Sequence, residues 1–561
     1  MFCQLRNNRS MTLAAHSAII KAVEAELIAA APADFLMQQA AQHLADFICA
    51  LIAAQPTPAQ VVVAAGGGGN GGDGLYAAAL LTTAGHQTAA LLWHPEGAVH
   101  EPAYAAALHA GCEVHSREEI AALAQRKIPA GQRLILVDAI QGLGSAPLCT
   151  ADAELWHSLA QQADTVVAVD LPTGIAVDSG TAPAPVTTLA ATTPLARHVT
   201  ADYTVTFGPL RLAHALSTAC GAVFNADIAG AAGESLLAMV SDAAAVAAAA
   251  SATPTAATPA NAPAVIECHL AWQNPDPSLQ LPALKQWDAV SLADLTPASS
   301  DHKYTRGVPT VVAGSTTYPG AAVLSTYAAV QTGAGMVRYA GDCAAAVIAR
   351  CPEVVLEPDL TAITKTDCWV FGPGVSTSAT AAATLRRLIH TPQPLIIDAD
   401  GLTLLADSQE LQLLLQQRTA PTVLTPHAGE FERLTGKPLQ DPAAETVALA
   451  MRLRATVLLK GRKTLIATPA GQLTVVDAGN SWAATAGSGD VLAGILATNC
   501  ARAKHPDAVN WIMAAVATHA VAAQKAATTA CGTAPTSASQ IAAAIPEAQA
   551  LLQRSQIQAP K

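Results

Sequence analysis

The sequence predicts an α/β protein of two domains, each built on a mostly parallel sheet with its ligand site along one sheet edge. Three observations predict this. A strand pattern runs directly into a glycine-rich loop and then a helix pattern at 61–81, which is the local plan of a nucleotide-binding βαβ unit. A second series of strands, each ending in a glycine- or proline-marked turn, runs from 310 to 490. Between the two lies a stretch whose composition cannot build a core. With 561 residues the chain is too long for a single core.

In chain order, residues 12–55 carry apolar positions at helical spacing and predict one or two helices. Val61 to Ala65 predicts a buried strand, opening into Gly66-Gly67-Gly68-Gly69-Asn70-Gly71-Gly72-Asp73-Gly74 and the helix that begins at Leu75. Seven glycines bracketed so tightly are not a linker; they let backbone approach a ligand closely. Further strands are predicted at 89–93, 134–137, 165–169 and 203–207. The turns after three of them hold Asp138, Asp170 with Thr173, and Arg211, and such turns converge on the ligand crevice of a doubly wound, Rossmann-like sheet. Each alone reads as a cap or turn former.

Beyond 215 the pattern dissolves. The run 243–264 is almost entirely Ala, Thr, Pro, Ser and Asn, so the first domain is assigned to 12–215, a boundary region to 216–284 with a short closing helix at 234–240, and the second domain to 285–545. There, His302-Lys303-Tyr304-Thr305-Arg306-Gly307 precedes a strand at 310–314, a turn at 318–320 and a helix at 321–331. Strand-and-turn units follow at Trp369 to Val375, Leu395 to Gly401, Thr422 to Glu430 and Val457 to Thr464, then a hairpin at 464–476 turning at Pro469-Ala470-Gly471. The series ends at Gly487-Ser488-Gly489-Asp490 and an apolar run. Small residues there admit a phosphate, and the helix start offers N–H groups to it. A carboxylate in that place can take a proton from a hydroxyl attacking phosphorus. An isolated motif of this kind is more often an N-cap on a buried helix.

The charge of −12 argues against nucleic acid or an anionic membrane as partner. The high mean hydropathy comes from alanine rather than from a spanning segment. The N-terminus fits an amphipathic helix better than a signal peptide. Eleven cysteines without a CxxC pair indicate neither zinc site nor disulfide framework, and the cytoplasm is the default location.

Taken together, these motifs resemble the bifunctional NAD(P)H-hydrate repair enzymes, in which an NAD(P)HX epimerase domain precedes an ADP-dependent dehydratase domain of the ribokinase-like superfamily. The loop Gly66–Gly74 is similar to the family's GxGNNGGDG, with Gly69 where the first Asn is usual. Asp138 to Gly144 is similar to DALFGTG, and Val169 to Gly174 to VDxPSG with Thr173 for Ser. Arg211 stands where the family has Lys. His302 to Gly307 resembles HKGxRG with Tyr304 for its first Gly, Thr403 replaces an Asn, and Ala486 to Gly489 replaces GGTG.

The resemblance implies that Asn70, Asp138 and Thr173 help hold potassium. It implies that Gly69, Asn70, Gly71, Gly72, Asp73, Gly142 and Asp170 contact the hydrate, with Asp138 the candidate for proton transfer. In the second domain Ala321, Gly374 and His427 would contact the hydrated nucleotide. Lys460, Gly461, Arg462, Lys463, Thr464, Gly487, Ser488 and Gly489 would contact the adenine nucleotide, which arrives with magnesium, and Asp490 would be the base. His427 could instead simply cap the helix beginning near Ala428. A homo-oligomer is expected, with no nucleic acid and no membrane partner. The alternative is a ribokinase-like vitamin-precursor or sugar kinase, fused to a first domain that binds nucleotide or partner without catalysis.

Overall fold

The computed structural model describes residues 12–94, 98–125, 129, 131–142, 146–187, 194–251, 265–270, 290, 292, 295–360, 363, 365–503, 505 and 509–557. Two compact units divide close to residue 288. Both are α/β.

In the first unit seven parallel strands stand in the spatial order Glu113–His115, Gln87–Leu92, Ala59–Ala65, Arg133–Ala139, Thr165–Val169, Tyr203–Phe207 and Ala222–Ala226. The strand Ala59–Ala65 is followed outward on one side, and the chain then returns to Arg133–Ala139 and proceeds outward on the other. The crevice between those two strands is therefore the switch point at which such sheets bind ligands. The helix Phe35–Ala53 buries Leu44, Phe47, Ile48 and Leu51 at helical spacing. Each large side chain taken from water there contributes about 1.5–3 kcal/mol.

The unit runs past the expected end at 215. Ala222–Ala226 completes the sheet because its Phe224 packs on Phe47 with ring centres 5.1 Å apart. The predicted closing helix is longer, spanning Leu236–Ser251. A short strand, Thr12–Ala15, precedes the helix Ser17–Ala29 where helix alone was predicted. Four residues are too few to show a period, and what orders them is pairing: antiparallel with Val265–Cys268 and parallel with Leu210–Arg211. Most of the Ala/Pro-rich run, and the expected start of the second domain at 285, lie outside the described residues.

In the second unit nine of the described strands stand side by side in the order Val355–Leu356, Arg338–Tyr339, Pro309–Val312, Cys368–Phe371, Leu395–Ile397, Thr422–Leu424, Thr456–Leu459, Lys463–Ala467 and Leu473–Asp477. All run in one direction except Lys463–Ala467, which is antiparallel to both its neighbours and forms the predicted hairpin with Leu473–Asp477. Here the direction reverses between Pro309–Val312 and Cys368–Phe371, where Gly314 N donates to the Pro373 carbonyl at 2.7 Å. The helix Ser488–Arg502 lies against Pro319–Gln331, closely enough that a Cβ on Gly494 would stand 2.2 Å from the Ser325 carbonyl oxygen.

Candidate active sites

In the first unit the glycine loop does not stay a loop. The helix already begins at Gly69, so Asn70 and Asp73 sit in its first turns. Beside it opens a cavity of about 750 Å³ at the switch point. Of the predicted residues, Gly69, Asn70, Asp73, Gly142 and Asp170 line it. Gly71 and Gly72 do not: a Cβ on Gly71 would stand 1.9 Å from the Gly66 carbonyl oxygen, and one on Gly72 2.6 Å from the Met37 sulfur. They are small so that the helix start can pack, not to touch a ligand. Leu143 and Gly144 of the quoted motif lie outside the described residues.

Asp138 is fully buried and does not line the cavity. Its carboxylate accepts from Thr173 N at 2.8 Å, Thr173 Oγ1 at 2.7 Å and Ile140 N at 3.2 Å. Burial pushes its pKa up to about 6 against those hydrogen bonds. Thr173 Oγ1 also accepts from Gln141 N at 3.1 Å, and Asn70 Nδ2 reaches the Gln141 carbonyl at 3.0 Å. Carboxylate, hydroxyl and carbonyl oxygens thus gather in one place beside the Asn70 amide, and oxygen donors of this kind suit a hard cation. Asp138 is thereby packed into the interior, with its oxygens taken up by Thr173 and the Ile140 amide.

The charged wall of the cavity comes from elsewhere. Arg211 is buried, with Nη2 3.1 Å from Glu24 Oε1 and Nη1 3.4 Å from Asp170 Oδ1. Asp170 also accepts from Thr206 Oγ1 at 2.8 Å, and its backbone is left-handed at φ 61°. Burial raises the pKa of Glu24, which Arg211 opposes and Asp170 reinforces. Burial, followed by Asp170 and Glu24, pushes Asp73 well above the carboxylate range. Glu24 has no motif around it, and the sequence showed it only as a polar position on an amphipathic helix. Gly69 leaves space where it departs from the family pattern, since the nearest atom to an added Cβ is Met37 Cε at 3.9 Å.

In the second unit the strand ends converge as predicted. Lys460 Nζ lies 2.7 Å from Asp398 Oδ1 and 3.5 Å from Glu430 Oε2. Thr425 Oγ1 donates to Asp398 at 2.8 Å. Burial pulls Lys460 down, but Asp398 and Glu430 outweigh it and raise its pKa, so the ammonium stays charged. It faces Gly489, whose added Cβ would stand 3.4 Å from Nζ. Gly487 takes φ 84° as N-cap of Ser488–Arg502, Ser488 Oγ donates to the Ala483 carbonyl at 2.6 Å, and Asp490 stands in the first turn. Burial, then Asp398, pushes the Asp490 pKa up to about 7 while Lys460 restrains it.

Ala321 and Gly374 are neighbours at this unit's switch point, with an added Cβ on Gly374 2.9 Å from that of Ala321. His427 caps the helix Ala428–Thr435, its Nδ1 accepting from Gly429 N at 3.1 Å and Glu430 N at 3.3 Å, while its ring stays exposed. Lys463 turns away from the site: it is buried in the hairpin, with Nζ 3.4 Å from Asp477 Oδ2 on the paired strand. Thr464 is also buried and donates to the Gly461 carbonyl at 2.9 Å. His519, which carried no sequence signal, is buried beside Ser488, and burial lowers its pKa to about 4, so the imidazole is neutral.

Fold and sites define a two-unit α/β enzyme, one unit with an acid-lined cavity and the other with a helix-start aspartate near a charged lysine. A family model described as YjeF-related protein N-terminus matches residues 33–213, and one described as NAD(P)H-hydrate dehydratase matches 310–545. The bifunctional NAD(P)H-hydrate repair enzyme of Corynebacterium glutamicum is 38% identical over 462 residues, 74% of this chain and 78% of that protein. That of Mycobacterium leprae is 38% identical over 484 residues, covering 85% and 87%. The crystal structure of a Bacillus subtilis ADP/ATP-dependent NAD(P)H-hydrate dehydratase is 25% identical, covers 47% of this chain and 95% of its own, and has a TM-score of 0.41. The chain belongs to the family of bifunctional NAD(P)H-hydrate repair enzymes.

Proposed function

We propose that the chain repairs hydrated NADH and NADPH, its first unit interconverting the R and S hydrates and its second dehydrating the S form at the expense of ADP. The carrying observation is Asp490, held at a helix start with a pKa of about 7, beside a charged Lys460 that faces Gly489. Asp490 takes the proton of the C6 hydroxyl, whose oxygen attacks the β-phosphoryl of ADP. The amides of Gly487 to Gly489 and Lys460 stabilise the charge that develops, and AMP leaves. The ring nitrogen's lone pair then expels phosphate, and loss of a ring proton restores the dihydronicotinamide. Ala321, Gly374 and the exposed His427 ring are assigned to the hydrate. Lys460, Gly461, Arg462 and the Gly487–Gly489 turn are assigned to the adenine nucleotide. Magnesium carried with ADP would screen phosphate charge, and it suits a site where Asp398 and Asp400 already press on Asp490.

Epimerisation moves a hydroxyl from one face of C6 to the other through an electron-poor ring. Asp170, beside the acidic groups of Glu24 and a buried Asp73 held toward its neutral form, gives the cavity an acidic lining that favours such a ring. We assign Asn70, Asp138 and Thr173 to a potassium ion, supported by the Asp138 and Thr173 oxygens meeting at 2.7 Å near the Gln141 carbonyl that Asn70 reaches; when bound it would order the loop and hold Asp138 ionised. Among the described residues no helix is long and apolar enough to cross a membrane. A cytoplasmic location and a homo-oligomer complete the proposal. The test is an assay of hydrated NADH with ADP, with ATP and with neither: repair with ADP is expected, and equal turnover without a nucleotide overturns the dehydratase reading.

A further inference from the structure

The N-terminal segment is part of the first unit's cavity although the family match begins only at residue 33. The strand Thr12–Ala15 sets Ala15 opposite Arg211. Asp178 then fixes the helix that follows, accepting from Ser17 N and Ser17 Oγ at 2.7 Å each. These two anchors place Glu24 on the cavity wall, 3.1 Å from Arg211.

Compared with its neighbours, Glu24 is the carboxylate with freedom to act. Asp138 is sealed behind Thr173 and the Ile140 amide. Asp170 is committed to Thr206 and lies beside Arg211. Asp73 sits one turn from Asn70 in the assigned ion site. Glu24 keeps one oxygen paired to Arg211 and faces the cavity from a different element. The charged groups around it are Arg211, Asp170 and Asp73, with Lys21 on its own helix.

Resting on the epimerase reading, we propose that Glu24 exchanges the proton at the C6 oxygen of the hydrate, with Arg211 holding its carboxyl toward the cavity. Hydroxide is a poor leaving group, so the C6 hydroxyl must be protonated as it departs. The Glu24 carboxyl gives that proton, the C–O bond breaks to release water, and the ring nitrogen's lone pair forms the C=N bond. Water then adds to the other face of C6, the electron pair returns to nitrogen, the proton shed by the added water passes to solvent in the open cavity, and Glu24 regains its proton from that solvent. In the reverse direction Glu24 is the base.

The experiment uses the full chain and pure R hydrate without ADP, following the S hydrate above the spontaneous background. Glu24→Gln keeps the shape and a hydrogen bond to Arg211 but carries no exchangeable acid proton. It is expected to lower kcat about 100-fold or more, with KM within about threefold and with ADP-dependent dehydration of S hydrate at the wild-type rate. Glu24→Ala is expected to regain epimerisation as formate is added. A Glu24→Gln chain that epimerises within about threefold of wild type overturns the proposal, as does a Glu24→Ala chain that formate does not restore. A wild-type chain that leaves R hydrate unconverted overturns the epimerase reading itself, a loss seen before any substitution is made.

Discussion

Asp490 sits where burial and Asp398 both oppose its ionisation, and the pKa of about 7 that results makes its basic form grow across neutrality. A base works when deprotonated, so dehydration of S hydrate with saturating ADP is expected to climb as pH rises from about 6 to about 8. Asp490→Asn is expected to cut ADP-dependent dehydration by at least ~100-fold while R-to-S conversion continues; near-normal dehydration in that variant would sink the assignment. Gly69 makes the opposite kind of case. Its added Cβ would meet nothing closer than Met37 Cε at 3.9 Å, so Gly69→Asn is expected to leave the unfolding free energy within ~0.5 kcal/mol and to fill cavity space. A melting curve and the epimerase KM check both parts. By contrast Gly71, two positions on and alike in sequence, has no such room.

At the level of elements, the pairing of Ser488–Arg502 with Pro319–Gln331 fixes where Asp490 stands. Because an added Cβ on Gly494 would lie 2.2 Å from the Ser325 carbonyl, Gly494→Ala must part the two helices. It is expected to cost about 1–3 kcal/mol and to lower dehydration with it, read by calorimetry and turnover on the same preparation. Elements whose reason is local were legible in the sequence. The strand ends at Asp138, Asp170, Lys460 and His427 could be read because a strand of parallel sheet and its polar turn are contiguous in the chain. Elements whose reason is a distant partner were not. Thr12–Ala15 owes its form to residues 210–211 and 265–268, and Ala222–Ala226 owes its place to Phe47. Glu24 escaped for the same reason, since its meaning lies in Arg211. The pairing of Lys463 with Asp477 was hidden for a like reason, since it is made across the hairpin to the next strand.

Across the whole molecule the proposed potassium site belongs to the first unit alone. Exchanging potassium for sodium is expected to slow R-to-S conversion severalfold while dehydration of pure S hydrate with magnesium and ADP holds, measured in one chain under the two salts; equal slowing of both would remove the ion from Asn70, Asp138 and Thr173. The short strand at Thr12–Ala15 has a further consequence, for the order in which the chain takes shape. Thr12 finds its partner at Cys268, Ala15 lies opposite Arg211 and Ser17 is held by Asp178, so the segment carrying Glu24 is seated by residues far along the chain from it. Contacts so distant in sequence are slow to form, and synthesis runs from the N-terminus. The cavity wall that Glu24 forms is therefore expected to close later than the contiguous strand-and-helix units of the first unit's sheet.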